Sequence, residues 1–401
     1  MRILILGAGY AGLRAALDLG HARARDQLPE ATEITLVERA DCHHLIFWLH
    51  QVAGGTISSS EACVDFADLP LDQVTFKQAE VRGIDPRSRS VATSAGELGY
   101  GHLVLALGSE ATLPQLPGLA EHAHTLRDPA RAETLHTGLG DAFAQAGEAD
   151  TPGECKRLAT VAVAGGGFTG CQLAGELAHR LPELADRSGV AIRHVRLVLL
   201  EAGERLLPAM DACHGRSAQR ILEAKGVEVW TGAALERVDG DTLTAGGSRM
   251  PYGTLAWAGG VAGPGLLGNS GLDRNRQGRV WVDRFLRATD FPEVRAAGDC
   301  AVRQDDPGTE ATATEALNQG RYLAATLRDE LAGRTPDSYR PSRLGLLVAL
   351  GNNDAVGNAG PVPLAGRPAG VIKNGAERTY PDTLRGNPPQ SFQDWDFGRP
   401  R

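Results

Sequence analysis

Two segments about 160 residues apart repeat one pattern, and that repeat limits the fold more than any other feature of the chain. The first reads Arg2-Ile-Leu-Ile-Leu, then Gly7-Ala-Gly9-Tyr-Ala-Gly12, then a stripe at Leu13, Ala16, Leu17 and Gly20. The second reads Thr160-Val-Ala-Val-Ala, then Gly165-Gly-Gly167-Phe-Thr-Gly170, then Leu173, Ala174, Leu177, Ala178 and Leu181. Each predicts a strand buried on both faces, a glycine turn, and a helix with one apolar side. Each is followed by a second strand ending in an acid, Ile34–Glu38 and Leu197–Glu201. Such a turn presents backbone N–H groups and a helix N-terminus to a pyrophosphate, while the acid accepts from ribose hydroxyls. Gly7 and Gly165 make the tight turns, Gly9 and Gly167 permit close approach, and Gly12 and Gly170 let helix pack on strand. The acids fall 26 residues after Gly12 and 31 after Gly170, beyond the usual spacing of about 20. The polar stretches His21–Thr32 and Pro182–His194 are expected to absorb the excess as longer connectors.

A third signal separates the two sites. Val294-Arg-Ala-Ala-Gly298-Asp299 reads as a buried strand ending in Gly-Asp, which can set a carboxylate on a ribityl hydroxyl. A helix from about Thr312 to Leu331 follows, its positive end available to a flavin ring. FAD is therefore assigned to the first turn and NADH to the second, where Glu201 would repel the 2′-phosphate of NADPH.

With 401 residues and 42% hydrophobic content, the chain is long enough for two or three domains. The expected fold class is α/β, with two Rossmann-like three-layer dinucleotide-binding domains plus a small C-terminal region. The expected boundaries are FAD domain 1–120, NADH domain 121–258, FAD domain resumed 259–332, and C-terminal region 333–401 with a surface-following or mobile tail from Pro381. Further strands are expected at Val74–Val81, Ser90–Ala92, Leu103–Leu107, Val227–Trp230, Thr254–Ala258, Val280–Asp283, Val294–Ala297 and Leu344–Leu350, with a linker at Gly147–Cys155. A net charge of −8 gives no basic field, so nucleic acid is excluded as a partner. A first strand at Ile3 leaves no room for a signal peptide, and no apolar run approaches the ~20 residues that cross a bilayer. Six scattered cysteines without a CxxC pair read as reduced core thiols with no metal site, and the location as cytoplasmic.

The chain resembles the two-dinucleotide-binding (pyridine nucleotide-disulfide oxidoreductase) superfamily of flavoproteins, and within it the type II NADH dehydrogenases. The stretches that carry the resemblance are GAGYAGL at Gly7, His43–Gly54, Tyr100–Ser109, GGGFTG with AGEL at Ala174–Leu177, LEAGERLLP at Leu200–Pro208, AWAGGV at Ala256–Val261, GRVWVD at Gly278–Asp283 and AAGDCA at Ala296–Ala301. The resemblance implies that hydride passes from NADH to FAD, and electrons then to a quinone-like small molecule. The FAD residues it implies are Gly7, Gly9, Tyr10, Ala11, Gly12, Glu38, Arg39, Val81, Ala106, Gly108, Gly298 and Asp299. Those for NADH are Gly165, Gly167, Phe168, Thr169, Gly170, Glu201 and Gly259. Gln172 and Gln319 are the expected catalytic pair. His43 and His44 either line the flavin cavity or sit on a surface loop, the second being the favoured reading, with Phe47 and Trp48 packing beneath the flavin domain. Glu176 is read equally as an interdomain acid or as part of the nicotinamide pocket.

Four departures from the resemblance bear on the acceptor. Relatives carry Gly-x-Glu-x-x-Gly-Glu where this chain has Gly170-Cys-Gln172-Leu-Ala-Gly-Glu176, and Gln172 cannot take up a proton as a carboxylate does. The acceptor-side helix Ala313–Gly320 has Thr314 and Asn318 among the residues replacing the family's pattern, including two of its glutamines. Cys42 lacks the Cys-x4-Cys partner of disulfide reductases, and no cysteine follows Cys300 as sulfide-oxidising relatives require. Pro381–Arg401 is proline-rich without an apolar stripe, which argues against an amphipathic membrane end and leaves only peripheral contact at an inner membrane face. Two alternative readings stand beside the quinone: reduction of a ferredoxin- or rubredoxin-like carrier protein, and a flavin/NADH sensor that does not turn over. A homodimer is compatible with each.

Overall fold

The computed structural model of the chain describes residues 1–308, 311–341 and 345–386. At its centre Arg2–Leu6 lies between two parallel neighbours, Glu33–Glu38 and His102–Leu105. Ile3, Leu4, Ile5 and Leu6 are all essentially inaccessible, as a strand covered on both faces requires. Parallel pairing continues outward through Thr75–Gln78 on one side and Phe291–Ala296 on the other. Val280–Val282, Arg287–Ala288 and Ala301–Arg303 complete a sheet of eight strands. Residues 280–303 thus return to the sheet that the N-terminal strands began.

The second sheet has five strands, all parallel, in the order Ala123–Thr125, Thr254–Trp257, Thr160–Ala164, Arg196–Leu200, Val227–Trp230. Its central strand, Thr160–Ala164, is again wholly buried. The helices Tyr10–Ala24 and Phe168–Arg187 start directly at the two glycine turns. Tyr10–Ala24 packs on Ala313–Leu331, and a side chain at Gly320 would collide with the Ala11 carbonyl, so this crossing needs glycine.

A third unit consists of the antiparallel strands Gly345–Ala349, Ala355–Ala359 and Val362–Gly366, then the helix Arg367–Leu384. It ties the two sheets together. Leu350 and Gly351 lie against Gly175 of the second-turn helix, while Tyr380 stacks at 5.4 Å on Tyr10 of the first. Arg295 is 1% exposed beneath the first sheet and forms an ion pair with Glu330, which also holds Arg287. Burial opposes ionisation of Glu330, but the two guanidiniums outweigh it and hold the carboxyl below its ordinary range.

Several expectations need correction. The stretches expected as connectors are connector only in part: the first helix runs to Ala24 before residues 25–32 connect it to the next strand, and the second runs through Pro182 to Arg187 before residues 188–195 do so. The acids come late because each helix is followed by a connector of eight residues, 25–32 and 188–195. The linker at Gly147–Cys155 shrinks to a few residues between two helices, Pro129–Gly147 and Pro152–Leu158, capped by Asp128 and Thr151. Pro381 is buried inside the last helix rather than opening a loose tail. Leu344 and residues 387–401 lie outside the described residues. Cys42 and Cys63 are joined in a disulfide, so neither is a reduced thiol. Among the described residues no helix is long and apolar enough to cross a membrane.

Candidate functional site

The two glycine turns are built alike, atom by atom. Glu38 Oε2 accepts from Ala8 N–H at 2.7 Å, and Glu201 Oε2 accepts from Gly166 N–H at the same distance. Their second oxygens take Arg39 and Ala40 N–H groups in one case and Gly203 N–H in the other. Each acid therefore closes its own turn from the end of the neighbouring strand. A Cβ on Gly12 would fall on the Gly7 carbonyl, and one on Gly170 on the Gly165 carbonyl. A Cβ on either middle glycine, Gly9 or Gly167, would meet no protein atom within 4 Å. The outer glycines serve the fold, whereas the middle ones border open space at a helix N-terminus. That space is what a pyrophosphate needs, so both turns fit a dinucleotide.

Beside the second turn a cleft of about 300 Å³ is lined by Gly165, Gly167, Glu201, Trp257, Gly259 and Gly260. Gly259 lies close under the Trp257 ring, where a Cβ would stand 2.7 Å from the indole. Trp257 is fixed in turn by its indole N–H, which donates to Thr112 O at 3.0 Å. Phe168 and Thr169 begin the helix at the rim, half-buried and exposed respectively. Gln172 is half-buried one turn further on.

Near the first turn, Ser109, which follows Gly108, meets the Gly298–Asp299 bend, and Gly298 faces Ala11. Ser109 Oγ donates to Asp299 Oδ2 at 2.9 Å, and Arg279 donates to the Asp299 carbonyl at 2.9 Å. Gln319 Oε1 accepts from Gly298 N–H at 2.7 Å, while its Nε2 donates to Glu315. Both ends of that amide are thus engaged by protein, and Gln319 holds the bend in place. Glu315 also accepts from Tyr339 O–H. Asn318 has its Nδ2 buried with no acceptor among the described residues. Ala106 is buried behind Gly12, Arg39 is exposed beside Glu38, and Val81 opens the antiparallel strand Val81–Asp85. Tyr10 and Ala11 turn inward: Tyr10 into a cluster with His43, Phe47 and Tyr380, Ala11 against Gly298 and Gly320.

His43 is not a surface residue. It is buried, with Nδ1 at 2.9 Å from Ala8 O and Nε2 at 3.3 Å from Tyr380 Oη. Burial lowers its pKa to about 4, so the ring is neutral at pH 7 and braces the first turn. Glu176 also has a definite place. It is buried and accepts from Thr56 Oγ1, while Arg180 on the same helix donates to Gly54 O at 2.9 Å. Burial raises the pKa of Glu176, with Thr56 and Arg180 opposing. The interdomain reading of this residue is the one its partners fit.

Four polar residues in these arrangements were not among the expected site residues: Thr56, Ser109, Arg127 and Arg279, although Ser109 and Arg279 fall within stretches that carry the resemblance. Burial lowers the pKa of Arg127, opposed by Asp299 and Glu110 close by, which sets a cation near the Gly-Asp bend. Ser109 had a visible signal, a hydroxyl directly after the left-handed Gly108 at a strand end. The others approach from remote segments and had none.

Comparison with known proteins agrees with this geometry. The family model for pyridine nucleotide-disulphide oxidoreductases matches residues 1–320. A type II NADH:quinone oxidoreductase of Staphylococcus aureus (strain MSSA476) is 29% identical over 380 residues, covering 93% of each chain. The structure of NDH2 from Plasmodium falciparum in complex with NADH has a TM-score of 0.84 at 17% identity, covering 96% of each chain. The sulfide:quinone oxidoreductase of Aquifex aeolicus has a TM-score of 0.80 at 16% identity, covering 98% of this chain and 94% of that one. At such identities the structures speak for the fold alone. With two matched glycine cradles and a family match across most of its length, the chain belongs to the pyridine nucleotide-disulphide oxidoreductase family.

Proposed function

We propose that this protein is an FAD-dependent NADH dehydrogenase that delivers electrons to a quinone-like acceptor. The observation that carries the reading is the pair of equivalent turns, each with an open middle glycine and a strand-ending acid. Similarity to the staphylococcal quinone oxidoreductase over 93% of both chains supports the acceptor class. When bound, NADH supplies a hydride and FAD a ring that takes it and passes electrons onward. The chain's own residues bind and orient. Gly7–Gly12 and Glu38 hold the FAD pyrophosphate and ribose, with Gly298 and Asp299 at the ribityl chain. Gly165–Gly170 and Glu201 do the same for NADH, and Gly259, by lacking a side chain, lets the Trp257 ring pack against it in the wall of the cleft that receives the cofactor. Gln172 is assigned a hydrogen bond to the nicotinamide amide, which needs no proton transfer. Gln319 sets the Gly298–Asp299 bend. Ring-to-ring hydride transfer depends on such orientation more than on acid–base groups.

Peripheral membrane contact belongs to the same proposal. Val362, Val371 and Ile372 are exposed on the last strand and helix, Val371 to 68%. These exposed apolar side chains precede the proline-rich tail and are the points assigned to contact with the lipid in which quinones dissolve. The test is stopped-flow reoxidation. Enzyme reduced with one equivalent of NADH is mixed anaerobically with a short-chain quinone. Reoxidation much faster than with dissolved oxygen is expected, and an equal or slower rate would remove the quinone from the proposal.

A further inference from the structure

The hairpin after the first acid carries chemistry that neither dinucleotide uses. Cys42–His44 pairs antiparallel with Cys63–Asp65, in the register Cys42 with Asp65, His43 with Val64 and His44 with Cys63. Alternate strand residues face opposite sides, and directly paired residues face the same side. Cys42, His44 and Cys63 therefore share one face, and His43 points the other way, to Ala8. Their two sulfurs and one imidazole nitrogen lie within 4.8 Å of one another. Among the described residues they are the one group of three side chains so placed. All three are half-buried, sheltered but reachable from solvent. Asp65 shares the face, but its carboxylate accepts from Ala67 N–H.

We propose that Cys42, Cys63 and His44 form a binding site for a thiophilic divalent cation, zinc by its ligand preference, with the Cys42–Cys63 disulfide as its metal-free, oxidised state. A disulfide on its own has no use for an imidazole at ligand distance. Two thiolates and a neutral imidazole are a favoured donor set for zinc, and three protein ligands leave one coordination position for water. The set offers no oxygen cluster, which excludes magnesium and calcium as preferred occupants.

The two states interconvert with balanced chemistry. One thiolate of a dithiol reductant attacks a sulfur of the Cys42–Cys63 bond, which breaks to leave a mixed disulfide and one free thiolate. The reductant's second thiolate then displaces the remaining cysteine, and the reductant leaves as its own disulfide. Two electrons and two protons have passed to Cys42 and Cys63. Binding of the cation then releases a proton from each cysteine that is still a thiol. His43, between two of the three ligands on the same strand, contacts Ala8 O of the first glycine turn through its ring, so the hairpin and that turn are joined through one side chain.

Equilibrium dialysis of the full FAD-loaded chain against micromolar zinc, with metal counted by atomic emission, tests this directly. Protein reduced with a phosphine should retain one zinc more per chain than air-oxidised protein. Cys63→Ser should lose that zinc under reducing conditions, and His44→Ala should hold it more weakly. Equal zinc in reduced wild type and Cys63→Ser would overturn the proposal. Should Cys63→Ser fail to fold, alkylation mapped by mass spectrometry on the wild type decides. Zinc should protect both Cys42 and Cys63 of the reduced protein, while Cys213, a free and exposed cysteine, continues to react. Undiminished alkylation of the pair in the presence of zinc would refute the site. Free thiols at both positions in air-oxidised protein would refute the disulfide state.

Discussion

Replacing Gly9 and Gly12 separately by alanine distinguishes a cofactor cradle from a folding requirement. Gly9 has φ −69° and ψ −168°, ordinary extended backbone, and a Cβ there would meet nothing within 4 Å. Gly9→Ala should therefore leave the apoprotein at least as stable, with a gain of up to ~1 kcal/mol from the restricted unfolded chain. At Gly12 the new methyl would fall on the Gly7 carbonyl and stand 2.9 Å from the Ala106 methyl. Both neighbours are held by the central strands, so relief requires backbone movement, at about 1–3 kcal/mol or more. Chemical unfolding of FAD-stripped protein measures the first effect, and flavin absorbance per chain after gel filtration measures the second. Gly9→Ala should be stable and depleted of FAD, with Gly9→Val, which carries two more methyls, colourless. Gly12→Ala should be destabilised even without FAD. A Gly9→Val protein that is yellow and fully loaded would refute the placement of the pyrophosphate.

Three further outcomes follow from the same geometry. Glu201→Arg removes the acceptor of Gly166 and Gly203 N–H and the repulsion of a 2′-phosphate, so the NADH-over-NADPH ratio of kcat/KM should fall at least tenfold. An unchanged ratio would take Glu201 away from the ribose. Gln319→Ala leaves the Gly298 N–H without its acceptor, at about 1–3 kcal/mol, and should weaken FAD retention while Gln319→Glu partly restores it. Equal FAD retention in all three proteins would dismiss the positioning role. His43 has a folded pKa near 4 against an ordinary 6.5, so the unfolded chain binds the extra proton between those values. Stability is then full above pH 6.5 and falls on acidification toward pH 4, by about 3 kcal/mol for this group. His50, with its pKa lowered to about 3 by burial, adds loss of the same sign. His43→Asn should flatten the pH dependence of the unfolding midpoint, and an unaltered slope would show that His43 does not titrate this way.

What could be read in advance was whatever one segment encodes alone. The strands at Ile3 and Val161, their turns and acids announce themselves through periodicity and glycine spacing, and the helix expected from about Thr312 begins there, capped by the Thr312 hydroxyl. The helix Pro129–Gly147 was also legible in principle. Asp128-Pro129 is a start signal, and Ala132, Leu135, Leu139, Phe143 and Ala146 form its buried stripe, but Gly138 and Gly140 interrupt the helical preference. Contacts between distant segments were not legible. Glu176 meets Thr56 across 120 residues, and Cys42 meets Cys63 only because the hairpin register brings them together. His43 looked like a loop residue because its strand is three residues long, too short for alternation to declare a buried side.

An anaerobic titration of the purified, FAD-loaded protein with NADH tests the central claim most directly. One equivalent of NADH should bleach the flavin band completely, and Glu201→Arg should require a large excess to reach the same end point. A flavin that stays oxidised under excess NADH would contradict the account of the two glycine turns as one electron path.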